Sequence, residues 1–248
     1  ETRNKLQFFR WRELVPVVAT WDDHDYGTND GARDFKLKGD SQKIFSFFFP
    51  MHEKTLNSAL GPGVAKKIEL GDSNFILLDN RSFRAPKKAK KNLVHFGKPQ
   101  RDWMIKNLSK NKLNWLISGD QFFGGYHPYE SFQGQHKKMF DSFLREIKKQ
   151  NAPHFYVSGD RHMSEIMKVP KSKAGRITYE LTSSPIHSTV YPGASFQYKN
   201  PLRMTAVSGH WNYMRIDVQK SKTKYNLGVQ VKGLGNKTYF KRNLTIKH

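Results

Sequence analysis

Trp21-Asp22-Asp23-His24-Asp25-Tyr26-Gly27-Thr28-Asn29-Asp30 is the stretch on which the fold and function of this chain turn. It follows directly on Leu14-Val15-Pro16-Val17-Val18-Ala19-Thr20, a short β-branched apolar run that predicts a buried strand. Three carboxylates crowded around one imidazole repel one another unless water or cations neutralise them. At the end of a buried strand water is scarce, which favours a cation-binding loop. Oxygen-rich ligands with some imidazole suit Ca, Mg, Mn or Fe, and Zn less strongly. An acidic turn whose aspartates cap a helix has the same local composition, so these residues alone leave both readings open.

Outward from this loop, further strands end in polar residues. Ile68–Leu70 and Asn74–Asp79, separated by Gly71-Asp72, predict a hairpin with a buried second strand. Leu113–Ser118 predicts a strand closed by Gly119-Asp120, and His154–Ser158 one that runs into Gly159-Asp160-Arg161-His162. Asp160 and His162 stand two apart, so in extended backbone both side chains would share a side, as a metal pair does. Helices are expected over Ser41–Phe49 (its Phe stripe packing in the core), Pro99–Lys110 and Gln135–Gln150. Tyr179–Thr182, His210–Val218, Tyr225–Lys232 and Thr238–Ile246 predict strands, with Gly233–Asn236 a turn between the last two. Ligands of layered α/β folds sit at the carboxyl ends of strands, so Asp22–Asp25, Asp120 and Asp160–His162 are expected to converge.

Composition constrains less. The 248 residues are enough for a sizeable core, and 37% hydrophobic with 18 Phe is too much buriable surface for a disordered chain. No apolar run approaches the roughly 18–20 residues that span a bilayer, and with no cysteine there is neither disulfide nor thiolate metal site. The formal charge of +22 attracts anions such as phosphate esters or nucleic acid, or else marks a solvated lysine-rich surface. The densest run, Lys87–Lys91, is expected to be an exposed loop.

The ordered motifs resemble those of PhoD-like phosphatases (the alkaline phosphatase D family) of the calcineurin-like metallophosphoesterase superfamily. The resemblance runs through Trp21–Asp30, Leu77–Arg84, Gln100–Trp103, Ser158–His162 and Leu181–Pro185, with the last forty or so residues least distinctive. It implies a single domain over 1–248 with an α/β class, metallophosphoesterase-type α/β/β/α sandwich. It also implies hydrolysis of phosphate esters, monoesters or diesters, by a metal-activated hydroxide. The metals implied are two or more ions, Ca and Fe foremost, with Mn, Mg or Zn as alternatives. By the same resemblance His24 is catalytic; Asp23, Asp120, Asp160 and His162 are metal ligands. Arg161 and Arg81 are candidate phosphate contacts, set against ordinary salt-bridge roles, while Asp22, Asp25 and Asn29 hold the loop in shape. Phosphate scavenging in a periplasmic, secreted or cell-surface location is implied, with no obligate nucleic acid partner. An earlier family motif that supplies further ligands has no match before Trp21, so the sandwich is expected to be incomplete at the N-terminus. Glu1–Arg12 resembles the helix that precedes the signature strand. A non-catalytic anion- or nucleic-acid-binding protein using the basic surface is the competing expectation.

Overall fold

The computed structural model describes residues 17–49, 63–89 and 93–248. Leu14–Pro16, the expected helix at Glu1–Arg12 and the lysines at 90 and 91 lie outside the described residues.

Two sheets meet through an apolar interface. The first has seven strands in the order β1-β2-β3-β4-β6-β5-β7: β1 (Lys66–Leu70), β2 (Ser73–Leu77), β3 (Leu113–Ile117), β4 (His154–Ser158), β5 (Met163–Val169), β6 (Thr178–Ser183) and β7 (Arg203–Ser208). Its middle, β2-β3-β4-β6, is parallel, and the flanking pairs β1-β2, β5-β6 and β5-β7 are antiparallel. The second sheet is an antiparallel meander of β8 (Asn212–Lys220), β9 (Lys224–Gly233) and β10 (Thr238–Lys247), with β9 in the centre. Alternation along β9 turns Tyr225, Leu227, Val229 and Val231 inward, all at most 1% exposed. Together with Leu244 and Ile246 of β10, the first three meet Leu113, Phe155, Ile166 and Leu181 of the first sheet.

The other face of the first sheet is covered by helices. Of the helices, α1 (Asp23–Tyr26) is a single turn and α2 spans Lys38–Phe48; α3 spans Lys98–Lys106 and has Pro99 in its first turn, where a missing N–H costs nothing. The short α4 (Phe132–Gln135) leads into α5 (Lys137–Gln150). Phe140, Phe143, Leu144 and Ile147 of α5 recur at helical spacing and join Trp103 and Met104 of α3 against Ile76, Leu116, Tyr156 and Met167. Two further single turns are α6 (Lys171–Ala174) and α7 (Ala194–Gln197). The described residues thus build helix, sheet and sheet; the outward residues of β8 and β10, among them Tyr213, Arg215, Lys241 and Asn243, are exposed.

Several expectations change. Residues 17–20 form no strand; Val17 and Val18 are 38% and 44% exposed, and Thr20 Oγ1 donates to Leu78 O at 2.7 Å. The Phe stripe of α2 contributes only Phe45 to the buried core, while Phe47 is 68% exposed. The long helix expected from Gln135 breaks at His136, and α3 stops at Lys106. Met163–Val169 and Arg203–Ser208 are additional strands; β5 is buried at all positions but Lys168 and carries Glu165 inside, a charge that masks its strand character.

Candidate metal centre

The signature loop is fixed from behind by its tryptophan. Trp21 packs edge-on to Tyr26 and Phe45 and donates its indole N–H to Asp79 Oδ1 at 2.9 Å. Asp79 follows β2 and also accepts from the backbone N–H groups of Val64, Arg81 and Ser82 and from Ser82 Oγ. Gln100 in turn bonds both the N–H and C=O of Asp79. Gly119, after β3, lets the loop lie directly on the sheet: a Cβ there would stand 2.7 Å from Asp22 Cβ and from Trp21 O. Gly159 N donates to Gly119 O at 2.7 Å, so the ends of β3 and β4 are tied together beside it.

These constraints bring three carboxylates into one cluster. Ligand oxygens of Asp22, Asp23 and Asp160 all lie within 4.8 Å of one another. Asp23 is held by two backbone donors, His24 N at 2.7 Å and Asp30 N at 3.0 Å. Asp22 Oδ1 accepts from Asn80 Nδ2 at 2.8 Å and Arg81 Nε at 2.6 Å, whereas its Oδ2 is buried with no hydrogen-bond partner. Asp160 adopts a left-handed backbone (φ 65), as does His162 (φ 52); such strain concentrates at functional sites. The extended geometry expected for this Asp-x-His pair is therefore replaced by a sharp turn, because the chain must reverse between parallel β4 and antiparallel β5.

The electrostatics fit a site made for positive charge. Burial, then the neighbouring Asp22 and Asp120, push the Asp160 carboxyl well above the ordinary range. Burial also raises Asp22 to about 6; Arg81 opposes the shift, and Asp120 and Asp23 add to it. A buried oxygen without a donor among crowded carboxylates is what a cation ligand looks like before its ion is added. The donor set is all oxygen, which suits hard cations.

The remaining expected site residues fall in distinct places. Asp120 lies behind the cluster, 0% exposed, with its oxygens filled by Asn80 and Ser118 on one side and Arg84 and His95 on the other. Burial works against its charge, but His95 and Arg84 hold its pKa well below the ordinary value. Arg81 is fully buried and engaged by Asp22 and Glu130, away from the cleft surface; burial alone would lower its pKa, and the carboxylates outweigh this and raise it. His162 donates Nδ1–H to the Thr189 carbonyl, so Nε2 is the ring nitrogen left to face other partners. His24 is exposed, with Nε2 4.0 Å from Asp23 Oδ2. Asp25 accepts from Asp22 N at 3.2 Å, so the capping role that composition left open is present alongside the cluster.

A cleft of about 700 Å³ opens over the cluster, lined by Asp23, Asn29, Asp30, Lys87, Tyr129, Glu130, Asp160, Arg161, His162 and Tyr191. Arg161 lies with its guanidinium 4.4 Å from the Tyr129 ring centroid, and among the described residues no carboxylate pairs with it. Glu130, Arg84, His95 and Asn80 were not singled out from sequence. Only Asn80 and Arg84 sat within a recognised motif, so Glu130 and His95 had no signal.

A mixed, mainly parallel sheet backed by a second sheet, with carboxylates gathered at its strand ends, defines a metallophosphoesterase-type α/β chain. The family model for PhoD-like phosphatase matches residues 3–227, and the chain belongs to that family. The solved structure titled "Structure of PhoD" is similar in fold, with a TM-score of 0.68 at 16% identity over 92% of this chain. The chain spans 55% of the length of that structure. A search of curated proteins finds no match.

Proposed function

We propose that the chain hydrolyses phosphate esters at this cleft, with cations held by Asp22, Asp23 and Asp160 and with His162 Nε2 as a further ligand. The observation that carries this reading is the convergence of three carboxylates within 4.8 Å, one of whose oxygens is buried without a donor. Asp120 contributes its charge through Asn80, which donates to it and to Asp22 together. Two or more ions, Ca and Fe or else Mn, Mg or Zn, would supply Lewis acidity toward water and the phosphate oxygens. The protein's own part is placement. Arg161, steadied on Tyr129, presents a guanidinium fork to phosphate oxygens. His24, exposed beside Asp23, would protonate the leaving oxygen. Arg81 fixes which oxygen of Asp22 faces the cluster. Phosphate scavenging outside the cytoplasm belongs to the same reading; among the described residues no helix is long and apolar enough to cross a membrane.

The test is hydrolysis of chromogenic mono- and diesters by the full-length protein, with metal content measured on the same preparations. Chelation should abolish turnover and cation return restore it, whereas raised salt alone should not. His24→Ala should lower kcat roughly 10²-fold or more with metal content unchanged. Full activity in that variant would falsify the role of His24, and chelator-insensitive phosphate binding without turnover would favour the electrostatic anion binder.

A further inference from the structure

The two walls of the cleft come from segments distant in sequence. One is the loop from Gln121 to Glu130, which brings Tyr129 and Glu130 to the cleft; the other includes α7, whose Ala194 and Gln197 line it. Both walls are tied to a carboxylate that lies outside the cleft, Glu165 on β5, which is 0% exposed. Its Oε1 accepts from Gln121 Nε2 at 2.7 Å and Tyr126 OH at 2.5 Å, both on the first wall. Its Oε2 accepts from Arg203 Nε at 2.7 Å and Asn200 Nδ2 at 3.2 Å. Arg203 carries the tie onward by donating to the carbonyls of Ser195, within α7, and of Tyr198, just after it. The walls also meet through Gln197 Nε2 and Tyr129 OH at 3.4 Å, through an edge-on Tyr129–Tyr198 pair at 5.7 Å whose side chains hydrogen-bond, and through Arg203 over the Tyr126 ring at 5.4 Å.

We propose that Glu165 is a positioning residue that sets the spacing of the cleft walls, and so the size of ester substituent the site accepts. The division of labour follows from its two oxygens, one for each wall. A buried carboxylate with four donors is a strong anchor, because charge-assisted hydrogen bonds are about twice as strong as neutral ones and leaving any of these donors unpaired is costly. The consequence for substrates rests on the phosphoesterase reading; the anchoring of the walls does not.

Glu165→Gln separates the two functions. One amide oxygen cannot serve all four donors, and in either orientation of the amide Arg203 loses its carboxylate partner, so the α7 side loses its ionic anchor. Hydrogen exchange of the full-length protein should show the amides of residues 194–198 opening about tenfold faster, with those of β3 and β4 changed less than twofold. In parallel, KM for bis(p-nitrophenyl) phosphate should rise about tenfold, while inhibition by inorganic phosphate stays within twofold. Arg203→Lys, which keeps the charge but cannot reach both α7 carbonyls, should loosen residues 194–198 likewise and serves if the first variant fails to fold. A uniform rise in exchange across β3, β4 and both walls would reduce Glu165 to a general stabiliser and overturn the proposal. Unchanged exchange at 194–198 in both variants would overturn it too. If the wild-type protein cleaves neither ester, the phosphoesterase reading fails and the exchange measurement still decides the anchoring.

Discussion

Removing one charge from the carboxylate cluster should change stability in opposite directions with and without cations. Asp160→Asn is nearly isosteric and removes a charge whose oxygen lies within 4.8 Å of those of Asp22 and Asp23. At an effective dielectric constant of about 20, each like-charge pair at that separation costs roughly 3 kcal/mol. Asp160 avoids much of this by keeping its proton, since burial, then Asp22 and Asp120, hold its pKa well above 3.8. What remains is the cost of that retained proton, which stays below the full charge–charge repulsion it replaces. A carboxyl whose folded pKa is raised lowers stability as pH climbs from its unfolded value toward the folded one. The gain from asparagine should therefore be absent near pH 4 and largest at neutral pH and above. With about 3 kcal/mol for one like-charge pair as the ceiling and about 2–4 °C per kcal/mol for a chain of this size, the metal-free variant should melt above wild type at pH 8 by at most roughly 6–12 °C. With a cation at 100 times its Kd, the wild type gains about 2.7 kcal/mol, and the variant, short of one ligand, gains less. Thermal melts in chelator and in Ca, Mn and Fe series at several pH values read both effects. A variant less stable than wild type in chelator at pH 8, or one with the wild-type cation increment, refutes the assignment of this cluster.

Glu130→Gln should cost roughly 3 kcal/mol or more, because Glu130 accepts from Arg81 at 2.7 Å and pairs with Arg84 at 3.2 Å, both guanidiniums buried; urea denaturation showing under 1 kcal/mol would contradict this. Acid should also destabilise the protein through its buried histidines. Burial lowers His127 and His136 to about 3 and His154 to about 4. Their neutral forms contribute stability that is complete above about 6.5 and lost as pH falls below it, at up to about 1.4 kcal/mol per pH unit for each. Because the raised carboxyls of Asp22 and Asp160 act the other way over this range, the check is the stability difference between wild type and His154→Gln, and a difference that does not change from pH 7 to 5 would exclude it.

The strands β1 to β4, the helices α3 and α5 and the final meander were legible because each shows one period over its length. Phe140, Phe143, Leu144 and Ile147 repeat every three or four residues, and Tyr225 to Val231 alternates. Residues 17–20 misled for the converse reason. A β-branched run is a strand only if a neighbour pairs with it; here Thr20 makes a side-chain bond to Leu78 O and Ala19 packs against the cluster around Trp21, but no strand pairs with residues 17–20 among the described residues. β5 was missed because Ser164 and Glu165 look like surface residues, and only Gln121, Tyr126, Asn200 and Arg203, from 35 to 44 positions away, make a buried glutamate tolerable. Separations of that kind leave no local pattern. Glu130 was invisible likewise, since its partners Arg81 and Arg84 sit 49 and 46 residues earlier.

Why Asp22 joins the cluster, although the motif pointed to Asp23, follows from the charge balance at the strand ends. Five carboxylates are gathered there, Asp22, Asp23, Asp120, Glu130 and Asp160, against three guanidiniums, Arg81, Arg84 and Arg161. Arg84 and His95 serve Asp120, and Arg81 divides itself between Asp22 and Glu130, so the deficit falls where no arginine reaches. That place is the free oxygen of Asp22 and the carboxyls of Asp23 and Asp160 beside it. Protons meet the deficit in part: burial first, and the crowded carboxylates with it, raise Asp22 to about 6 and hold Asp160 well above the ordinary carboxylate range. Bound divalent cations meet it at neutral pH. In a chain carrying +22 overall, a pocket left two charges negative is a local inversion of the surface field. Such an inversion costs stability unless a cation sits in it, and that cost is what the Asp160→Asn melt in chelator measures.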